Sequence, residues 1–421
     1  MRILWFTNTP SLAAEKVSKT YSVGGSWIES LERGLLSLPN IELGIAFSWN
    51  TPRRETFQLE GHPTRYFMIP SYPIGKWAKY WRRIRCLPEP REALQDYLDV
   101  VDEFQPDIIH FFGTESTFPL ITPDLKVPSV IWFQGNLTVY HTKWESGFSL
   151  WRFFRFEKGW DVLNGESLFH YFYLDTKLVK REKEIFSQAK NFTGRTDWDR
   201  RLVNVMAPQA TYYHCEEAMR PDFYERKWKP HGERDKFVMV TTIRSNTYKG
   251  LEVVLEASKK LAGLIPKNIE WRVVGIKPDD AYVKASQSKA KFGHSDNSVK
   301  LLGFRSASEL ADELLNADLY VHPSHIDNSP NSVCEAMLMG LPVVSTNVGG
   351  IPSLMKEHWE GLLVQSGDSH ALTGAILEIY KDPEKAAKMG AKARQRGLKR
   401  NDVGKICANL TSIYKQIIEQ K

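Results

Sequence analysis

The stretch that decides the fold is residues 322–346, which read HPSHIDNSPNSVCEAMLMGLPVVST. An apolar run at 319–322 ends at the first residue of this stretch, and a polar loop follows. From about Ser332 the spacing of apolar residues becomes helical, Gly340 ends the helix, and residues 342–345 form another apolar run. Strand, helix and strand in this order predict part of a parallel sheet that is covered by helices.

Short apolar runs alternate with helical patterns on both sides of this stretch. In the second half they lie at 237–242, 270–274 and 299–302, and in the first half at 3–7, 43–47, 108–112, 129–133 and 191–193. With 421 residues the chain is too long for one ordinary core and suits two domains of roughly 200 residues each. The predicted fold is therefore α/β, with two Rossmann-like domains that face each other across a cleft.

The predicted domain boundaries follow changes in composition. Residues 221–236 are rich in Pro, Lys and Arg and have no clean period, so we interpret them as an interdomain linker. They separate an N-terminal Rossmann-like domain at 1–220 from a C-terminal Rossmann-like domain at 237–401. Residues 402–421 are predicted to form a C-terminal helix that can cross back to the N-terminal domain.

The composition excludes several classes of protein. Apolar residues make up 42% and charged residues 25% of the chain, without a long polar tract, which argues against disorder. No stretch approaches the roughly 20 unbroken apolar residues of a membrane-spanning helix, so any membrane contact would be peripheral. The net charge of +6 favours anionic ligands and does not require nucleic acid. Four cysteines without a CxxC pair suit reduced thiols in the cytoplasm.

Two segments have the composition of anion-binding sites. Arg244 and Lys249 lie five residues apart after the run 237–242, where two cations can hold a diphosphate and stabilise its charge as it leaves. Two solvated surface charges are the alternative interpretation. In the first half, Gly24 and Gly25 precede a helical pattern, where the backbone can approach an anion at the helix N-terminus. A plain structural turn explains this pair of glycines equally well.

The loop and helix of residues 322–346 carry the remaining candidate chemistry. Two carboxylates, Asp327 and Glu335, lie eight residues apart, one in the loop and one in the first turn of the predicted helix. The backbone N–H groups near Ser332 and Val333 can receive phosphate oxygens. Glu335 can then accept hydrogen bonds from ribose hydroxyls, and Asp327 can meet a sugar ring.

The motifs of this region occur in a fixed order: Pro323-Ser324, Asp327-x7-Glu335, Ala336-Met337-x-x-Gly340-x-Pro342-Val343-Val344 and Gly349-Gly350. In them the chain resembles the family 4 retaining glycosyltransferases, also called glycosyl transferases group 1. The C-terminal domain of that family typically carries Pro-Ser, Glu-x7-Glu, Ala-Met-x-x-Gly-x-Pro-Val-Val and a Gly-Gly pair. The resemblance spans most of 237–370 and includes Arg244 and Lys249.

The resemblance implies a GT-B fold and the transfer of a sugar from a nucleoside-diphosphate sugar to a hydroxyl of a glycan or lipid-linked glycan. This reaction would serve the assembly of a bacterial surface polysaccharide or glycolipid. Arg244 and Lys249 would bind the donor diphosphate, and Glu335 the ribose. Gly303 and Phe304 would lie beside the base. The residues that would hold the transferred sugar and its phosphates form one segment: Asp327, Asn328, Ser329, Pro330, Asn331, Ser332 and Val333.

The chain departs from the family pattern at two positions. The first acidic residue is Asp327 instead of Glu, so the donor sugar stays open, as does the choice between UDP and GDP. Where many relatives have a histidine after a strand of the first domain, this chain has Gln134, which cannot relay protons. His110 could substitute as a catalytic residue, and a histidine packed at a strand end is an equally good interpretation. Alternatively, the leaving diphosphate itself accepts the proton of the acceptor hydroxyl.

Neither a metal nor another cofactor is expected. Asp279-Asp280 follows Lys277-Pro278 and is interpreted as a helix cap. Two other functions stay open. A sugar-nucleotide epimerase of similar fold would need acid and base groups at the sugar ring, for which His110 and Asp327 are the candidates. An inactive subunit that only binds the donor is the other alternative, and it would be expected to lack part of the set formed by Arg244, Lys249 and Glu335.

Two segments of the first domain combine basic and aromatic residues. Residues 75–85 read GKWAKYWRRIR, with five basic residues, three aromatic residues and no acid, and residues 148–156 read FSLWRFFRF. Such segments suit the headgroup layer of an anionic membrane, although the aromatic rings could instead pack under a helix. We therefore expect a cytoplasmic protein that can dock peripherally on the inner face of a membrane. Its expected partners are a nucleotide sugar and a glycan or lipid-linked acceptor, without nucleic acid.

Overall fold

The computed structural model describes residues 1–17, 27–146, 148, 155–293, 296 and 298–420. These residues form two compact units. The first unit comprises Met1–His141, Gly159–Ala218 and Asp402–Lys421, and the second comprises Thr142–Lys158 and Met219–Asn401. Each unit contains one sheet with helices around it, so the predicted α/β class with two Rossmann-like sheets is confirmed.

The first unit is built on an eight-stranded sheet in the order β3-β4-β2-β1-β5-β6-β7-β8. All neighbouring strands are parallel except β3, which runs antiparallel to β4. Its strands are β1 (Arg2–Thr7), β2 (Glu42–Trp49), β3 (Glu55–Gln58), β4 (Arg65–Pro70), β5 (Ile108–Phe112), β6 (Ser129–Trp132), β7 (Asn191–Gly194) and β8 (Thr211–His214).

The second unit is built on a six-stranded parallel sheet in the order β11-β10-β9-β12-β13-β14. Its strands are β9 (Lys236–Thr242), β10 (Asn268–Val274), β11 (Val299–Gly303), β12 (Leu319–His322), β13 (Val343–Thr346) and β14 (Leu362–Val364). Strands β10 and β11 follow β9 on one side of it, and the later strands β12, β13 and β14 lie on its other side. The strand order therefore reverses between β9 and β12, which is where open α/β sheets bind their ligands.

Helices connect most of the parallel strands, as their crossover connections require. In chain order they are α1 (Ala14–Val17), α2 (Trp27–Leu36), α3 (Lys76–Ile84), α4 (Ala93–Phe104), α5 (Leu137–Thr142), α6 (Gly159–Leu163), α7 (Leu168–Gln188), α8 (Asp197–Met206), α9 (Asp222–Glu225), α10 (Leu251–Ala262), α11 (Ala281–Ala290), α12 (Ala307–Leu315), α13 (Asn331–Met339), α14 (Ile351–Leu354), α15 (Ser369–Lys381), α16 (Pro383–Arg400) and α17 (Val403–Glu419).

The C-terminal helix α17 packs in the first unit. Its buried residues Leu410, Ile413, Tyr414 and Ile417 belong to the same core cluster as Trp5 of β1. Their spacing of three and four residues forms one apolar face of the helix. This face explains why α17 returns to the first unit and does not extend the second.

The segment predicted as a linker is instead part of the second core. Phe223 and Trp228 are buried there together with Val238 of β9. The indole N–H of Trp228 donates to the carbonyl oxygen of Ala317 at 2.7 Å. The linker prediction differs from the structure because two large apolar side chains in a basic, Pro-containing segment are enough to hold it on a core.

The segment 148–156 also differs from its prediction where the structure describes it. Phe148 belongs to the second unit, is buried, and packs edge-on to the ring of Tyr282 with 6.1 Å between the ring centroids. Lys289 lies over the same Phe148 ring at 4.5 Å. Phe148 therefore packs in the protein, and residues 149–154 lie outside the described residues.

Candidate functional site

The candidate donor site lies at the carboxyl ends of β9 and β12, beside the reversal of strand order in the second sheet. The loops after these two strands are joined by a hydrogen bond from the His325 backbone N–H to the carbonyl oxygen of Tyr248, at 2.7 Å. Gly250 permits this approach because it has a φ of 76°, and a Cβ there would lie 2.2 Å from the carbonyl oxygen of Pro323. A residue with a side chain would push the two loops apart.

Lys249 and Asp327 form an ion pair at the centre of this site. The Nζ atom of Lys249 lies 2.5 Å from Oδ2 of Asp327, and Nε2 of His322 lies 3.1 Å from the same oxygen. Burial by itself would raise the pKa of Asp327, but the charge of Lys249 and the hydrogen bond from His322 hold it well below its usual range. Asp327 is therefore ionised, and Lys249 is held in the loop by a direct charge contact.

The Gly349-Gly350 pair supports the backbone of Asp327. The Gly350 N–H donates to the Asp327 carbonyl oxygen at 3.2 Å. Gly349 has a φ of 52°, and a Cβ there would lie 1.8 Å from that oxygen. Glycine is thus needed at position 349 for a close backbone approach that fixes the loop carrying Asp327.

Glu335 lies just behind the N-terminus of α13. The helix starts at Asn331, so Glu335 is its fifth residue and lies past the first turn in which it was predicted. The Nε and Nη2 atoms of Arg220 lie 2.9 Å and 2.8 Å from its Oε1 atom. Burial raises the pKa of Glu335, and the charge of Arg220 opposes this rise. Sequence reasoning missed Arg220, which lies 115 residues away along the chain.

The other predicted donor-site residues lie on the same edge of the second sheet. Arg244 is exposed, two residues beyond the end of β9. Gly303 ends β11 with a φ of 68°, and Phe304 follows it with 62% of its surface exposed. The loop residues Asn328 and Ser329 are buried beside Asp327. The predicted anion-binding pair Gly24 and Gly25 lies outside the described residues.

His110 does not have the environment of a catalytic residue. It is fully buried in β5, with its ring stacked on Trp132 at 5.3 Å and its Nδ1 atom 2.5 Å from the Tyr414 hydroxyl oxygen. Burial lowers its pKa to about 3, so the imidazole is neutral at physiological pH. The prediction of a catalytic His110 is corrected, because its side chain is part of the packed core of the first unit.

A carboxylate that the sequence reading missed lies at the carboxyl ends of β5 and β6. Glu115 lies over two glycines: a Cβ at Gly113 would lie 1.9 Å from its Oε2 atom, and one at Gly135 would lie 3.4 Å from Oε1. Burial raises the pKa of Glu115 to about 7. Within the described part of the chain its Oε2 atom is buried without a hydrogen-bond partner. Its position just after a predicted strand is the signal that could have identified it.

Gln134 lies in a polar cluster next to Glu115. Its Nε2 atom donates to Oε1 of Glu217 at 3.3 Å, and Oε2 of Glu217 lies 3.1 Å from Nη2 of Arg195. Both members of the ion pair are almost completely buried. Burial raises the pKa of Glu217 to about 7, opposed by the charge of Arg195. Gln134 thus serves as a fixed hydrogen-bond donor at the edge of the first sheet.

One member of each acidic pair near a strand end takes part in a helix cap. Asp280 accepts a hydrogen bond from the backbone of Tyr282 at the start of α11, as expected for a cap. Sequence reasoning overlooked the Asp-x-Asp spacing of Asp197 and Asp199 after β7. Asp199 there forms a capping box with Thr196. Among the described residues, no group of three or more His, Cys, Asp or Glu side chains is arranged to hold a metal ion.

All four cysteines lie in the described part of the chain, are buried and form no disulfide bond. Within the described part of the chain, no helix has both the length and the apolar character needed to cross a bilayer.

Comparison with known proteins agrees with this geometry. Residues 222–396 match the family model of the glycosyl transferases group 1. The amylovoran biosynthesis glycosyltransferase AmsK of Erwinia amylovora is 27% identical over 191 residues, which cover 43% of this chain and 45% of AmsK. The alignments with AmsK and with the putative colanic acid biosynthesis glycosyltransferases WcaL of Salmonella typhimurium and Escherichia coli span 35% to 45% of the lengths of those proteins.

Solved structures match over the whole chain. Sucrose-phosphate synthase from Thermosynechococcus elongatus has a TM-score of 0.72 at 15% identity, covering 100% of both chains. Anabaena Alr3699/HepE in complex with UDP-glucose has a TM-score of 0.65 at 17% identity, covering 99% of this chain and 100% of that one. At such identities the likeness shows the fold, which is the GT-B fold that the motifs predicted. Residues 222–396 therefore match the glycosyl transferases group 1, and the chain has the GT-B fold.

Proposed function

We propose that this chain is a family 4 retaining glycosyltransferase, which moves a sugar from a nucleoside-diphosphate sugar to a hydroxyl of a glycan or lipid-linked glycan. The observation that carries this proposal is the Lys249–Asp327 ion pair at the reversal of strand order. It lies in the segment that matches the family, and it places a cation and a carboxylate where such sheets bind nucleotides. AmsK, whose name assigns it to amylovoran biosynthesis, supports a role in a bacterial surface polysaccharide.

The donor would bind through charge and helix polarity. The ammonium group of Lys249 has three N–H donors, so it can contact a phosphate oxygen while it still donates to Asp327. Arg244, exposed two residues after β9, would contribute a second cation, and the N-terminus of α13 would add its partial positive charge. Arg220 occupies Oε1 of Glu335, which leaves Oε2 to accept a hydrogen bond from a ribose hydroxyl.

The transfer step would be a displacement on one face of the sugar. The bond from the anomeric carbon to the diphosphate oxygen breaks, and a bond from the same carbon to the acceptor oxygen forms on the same face. The proton of the acceptor hydroxyl passes to the leaving phosphate oxygen. Lys249 and Arg244 would stabilise the charge of the leaving group, so this step needs no metal ion.

Glu115 is the group that we assign to the acceptor in place of His110. Its side chain is partly buried at the ligand-binding edge of the first sheet, and one buried carboxylate oxygen lacks a hydrogen-bond partner among the described residues. A carboxyl group of this kind can accept a hydrogen bond from a sugar hydroxyl. Gln134, held by Glu217, would donate a second hydrogen bond to the acceptor.

A peripheral position at the cytoplasmic face of a membrane is the last part of the proposed function. It is supported by residues 75–85, whose helix α3 has no buried residue and exposes Trp77 and Trp81. Of the segment 148–156, the described Phe148 gives no support, because it is buried.

The enzyme is tested by incubation with a panel of UDP-sugars and GDP-sugars while free nucleoside diphosphate and sugar isomers are measured. Release of nucleoside diphosphate from one donor, increased by an acceptor, is the expected result. An isomerised sugar nucleotide without release would show an epimerase. Donor binding without either product would show a binding subunit, and no binding to any donor would exclude all three functions.

A further inference from the structure

The first unit contains a pocket of about 390 Å³, and none of the residues that line it belongs to the candidate donor site. It lies between residues 72–74, one side of α3 and residues 87–92. Its volume falls within the roughly 300–1,000 Å³ typical of ligand pockets. Most of the lining is apolar and includes Ile74, Ala78, Trp81, Leu87, Pro88 and Pro90. A carbon-lined space of this size suits a hydrocarbon group.

Two arginines also line this pocket. The Nη1 atom of Arg82 donates to the carbonyl oxygen of Tyr72 at 2.8 Å, and the guanidinium of Arg85 lies 5.7 Å from the ring centroid of Trp81. A guanidinium has five N–H donors in a planar fork, so both residues can still bind a phosphate. Glu92 is an acidic member of the lining. The pocket thus combines an apolar interior with two anion-binding groups.

Helix α3 presents an exposed aromatic face beside the pocket. Trp77 and Trp81 are 78% and 54% exposed, and residues 75–85 carry five basic side chains and no acid. Exposed aromatic rings next to cations are the arrangement of helices that lie in the headgroup layer of a membrane. Neighbouring exposed apolar side chains of this size are typical of a surface that binds a membrane or another molecule.

Helix α6 extends this face and was not found by sequence reasoning. The Tyr80 hydroxyl donates to the carbonyl oxygen of Leu163 at 3.1 Å. Gly165, with a φ of 70°, lets the end of α6 approach α3, because a Cβ there would lie 2.7 Å from backbone atoms of Arg83 and Ile84. Trp160 and Leu163 of α6 are also exposed apolar side chains.

We propose that the face formed by α3 and α6 docks on an anionic phospholipid bilayer, and that the pocket holds a hydrocarbon chain of one of its lipids. Arg82 and Arg85 would contact the phosphate of that lipid. A second copy of this chain is a poorer occupant, because two faces with the same positive charge repel each other. The inference rests on the membrane part of the proposed function and does not depend on the sugar-transfer step.

The first experiment measures co-sedimentation of the full chain with vesicles, in the absence of any sugar nucleotide. We expect binding to phosphatidylcholine vesicles that contain phosphatidylglycerol, and much weaker binding to phosphatidylcholine alone. Replacement of Lys76 and Lys79 with Gln should weaken binding about fivefold for each charge. The double variant Trp77→Ala/Trp81→Ala should bind at least about tenfold more weakly.

A matched control is Trp359→Ala in the second unit. Trp359 is also exposed, and Lys392 lies 4.1 Å from its ring centroid. This variant should bind vesicles as the wild-type protein does. Equal losses in both tryptophan variants, or equal binding to neutral and anionic vesicles, would overturn the docking face. Self-association of the wild-type protein that the Trp77→Ala/Trp81→Ala variant abolishes, without vesicle binding, would show a second copy as the occupant.

The second experiment locates the lipid chain with a phosphatidylglycerol that carries a diazirine on its acyl chain. After illumination, cross-linked peptides should contain residues 72–74, 78 and 87–90. Ala78→Trp fills the pocket from an exposed helix position and keeps every charge, so it should remove these cross-links and preserve vesicle binding. Cross-links elsewhere only, or unchanged cross-links in Ala78→Trp, would refute the pocket. Since no donor is present, failure here leaves the transferase activity a separate question.

Discussion

The Nζ atom of Lys249 lies 2.5 Å from Oδ2 of Asp327, although the two residues are 78 positions apart in the chain. The side chains of both are largely shielded from water, so the pair is only weakly screened by solvent. In the proposed function the same lysine stabilises the leaving diphosphate.

Replacement of Lys249 with Ala should reduce kcat/KM by at least about tenfold, because a positive charge beside the leaving group is lost. Steady-state release of nucleoside diphosphate measures this effect. Lys236→Ala is the control, since Lys236 also pairs with a carboxylate, Glu270 at 3.0 Å, but lies at the opposite end of β9. Wild-type rates in Lys249→Ala, or equal losses in both variants, would refute the role of Lys249.

Gly349→Ala should lower both stability and activity. Its Cβ would lie 1.8 Å from the carbonyl oxygen of Asp327, so the loop that carries the ion pair must move. We expect kcat/KM to fall about tenfold or more, because small displacements of positioning groups are costly. Gly374→Ala is the control: Gly374 lies in α15 with open space around it, so this variant should gain up to about 1 kcal/mol of stability. Unchanged kinetics in Gly349→Ala would contradict the positioning role.

Tyr414→Phe should destabilise the first unit without an effect on the chemical step. The Tyr414 hydroxyl is hydrogen-bonded to Trp5 at 3.1 Å and to His110 at 2.5 Å, so its loss leaves buried polar groups without a partner. The expected cost is about 1–3 kcal/mol in the free energy of unfolding. Denaturant titration and kcat are measured together, with Tyr213→Phe as control, because the hydrogen bond from the Tyr213 hydroxyl to Gln420 is exposed to solvent. A loss of kcat without a loss of stability would instead support a catalytic role for His110.

Glu115→Gln should change the pH dependence of stability. The pKa of Glu115 is raised from 4.5 to about 7, so between these values the native state holds a proton that the unfolded chain has lost. The contribution of Glu115 to the free energy of unfolding therefore falls as the pH rises from about 4.5 to 7. Relative to wild type, Glu115→Gln should become more stable across this range, as measured by denaturant titration at several pH values. The exposed Glu60→Gln should follow the wild-type curve, and a Glu115→Gln curve parallel to both would contradict the shift.

Local structure in the second unit was largely predictable from sequence. The run 319–322 is a strand with the same bounds in the structure, and the helix that ends at Gly340 is α13. Such elements follow from apolar spacing and from glycine at a left-handed position, which act over a few residues. Strands β3, β4, β8 and β14 were not predicted. Strand β3 is short and mostly exposed, and its pairing with β4 depends on tertiary contacts.

The sequence by itself determined that the chain contains two α/β units with mostly parallel sheets. It also determined the group of residues around 322–350 that forms the candidate donor site. Only the tertiary structure decided that His110 is a core residue, that Arg220 holds Glu335, and that Glu115 lies over two glycines. Apolar periodicity and glycine positions are local and can be read along the chain. Burial and charge pairing depend on residues that are distant in sequence and near in space, so the protonation state and the partner of each polar group follow from the fold.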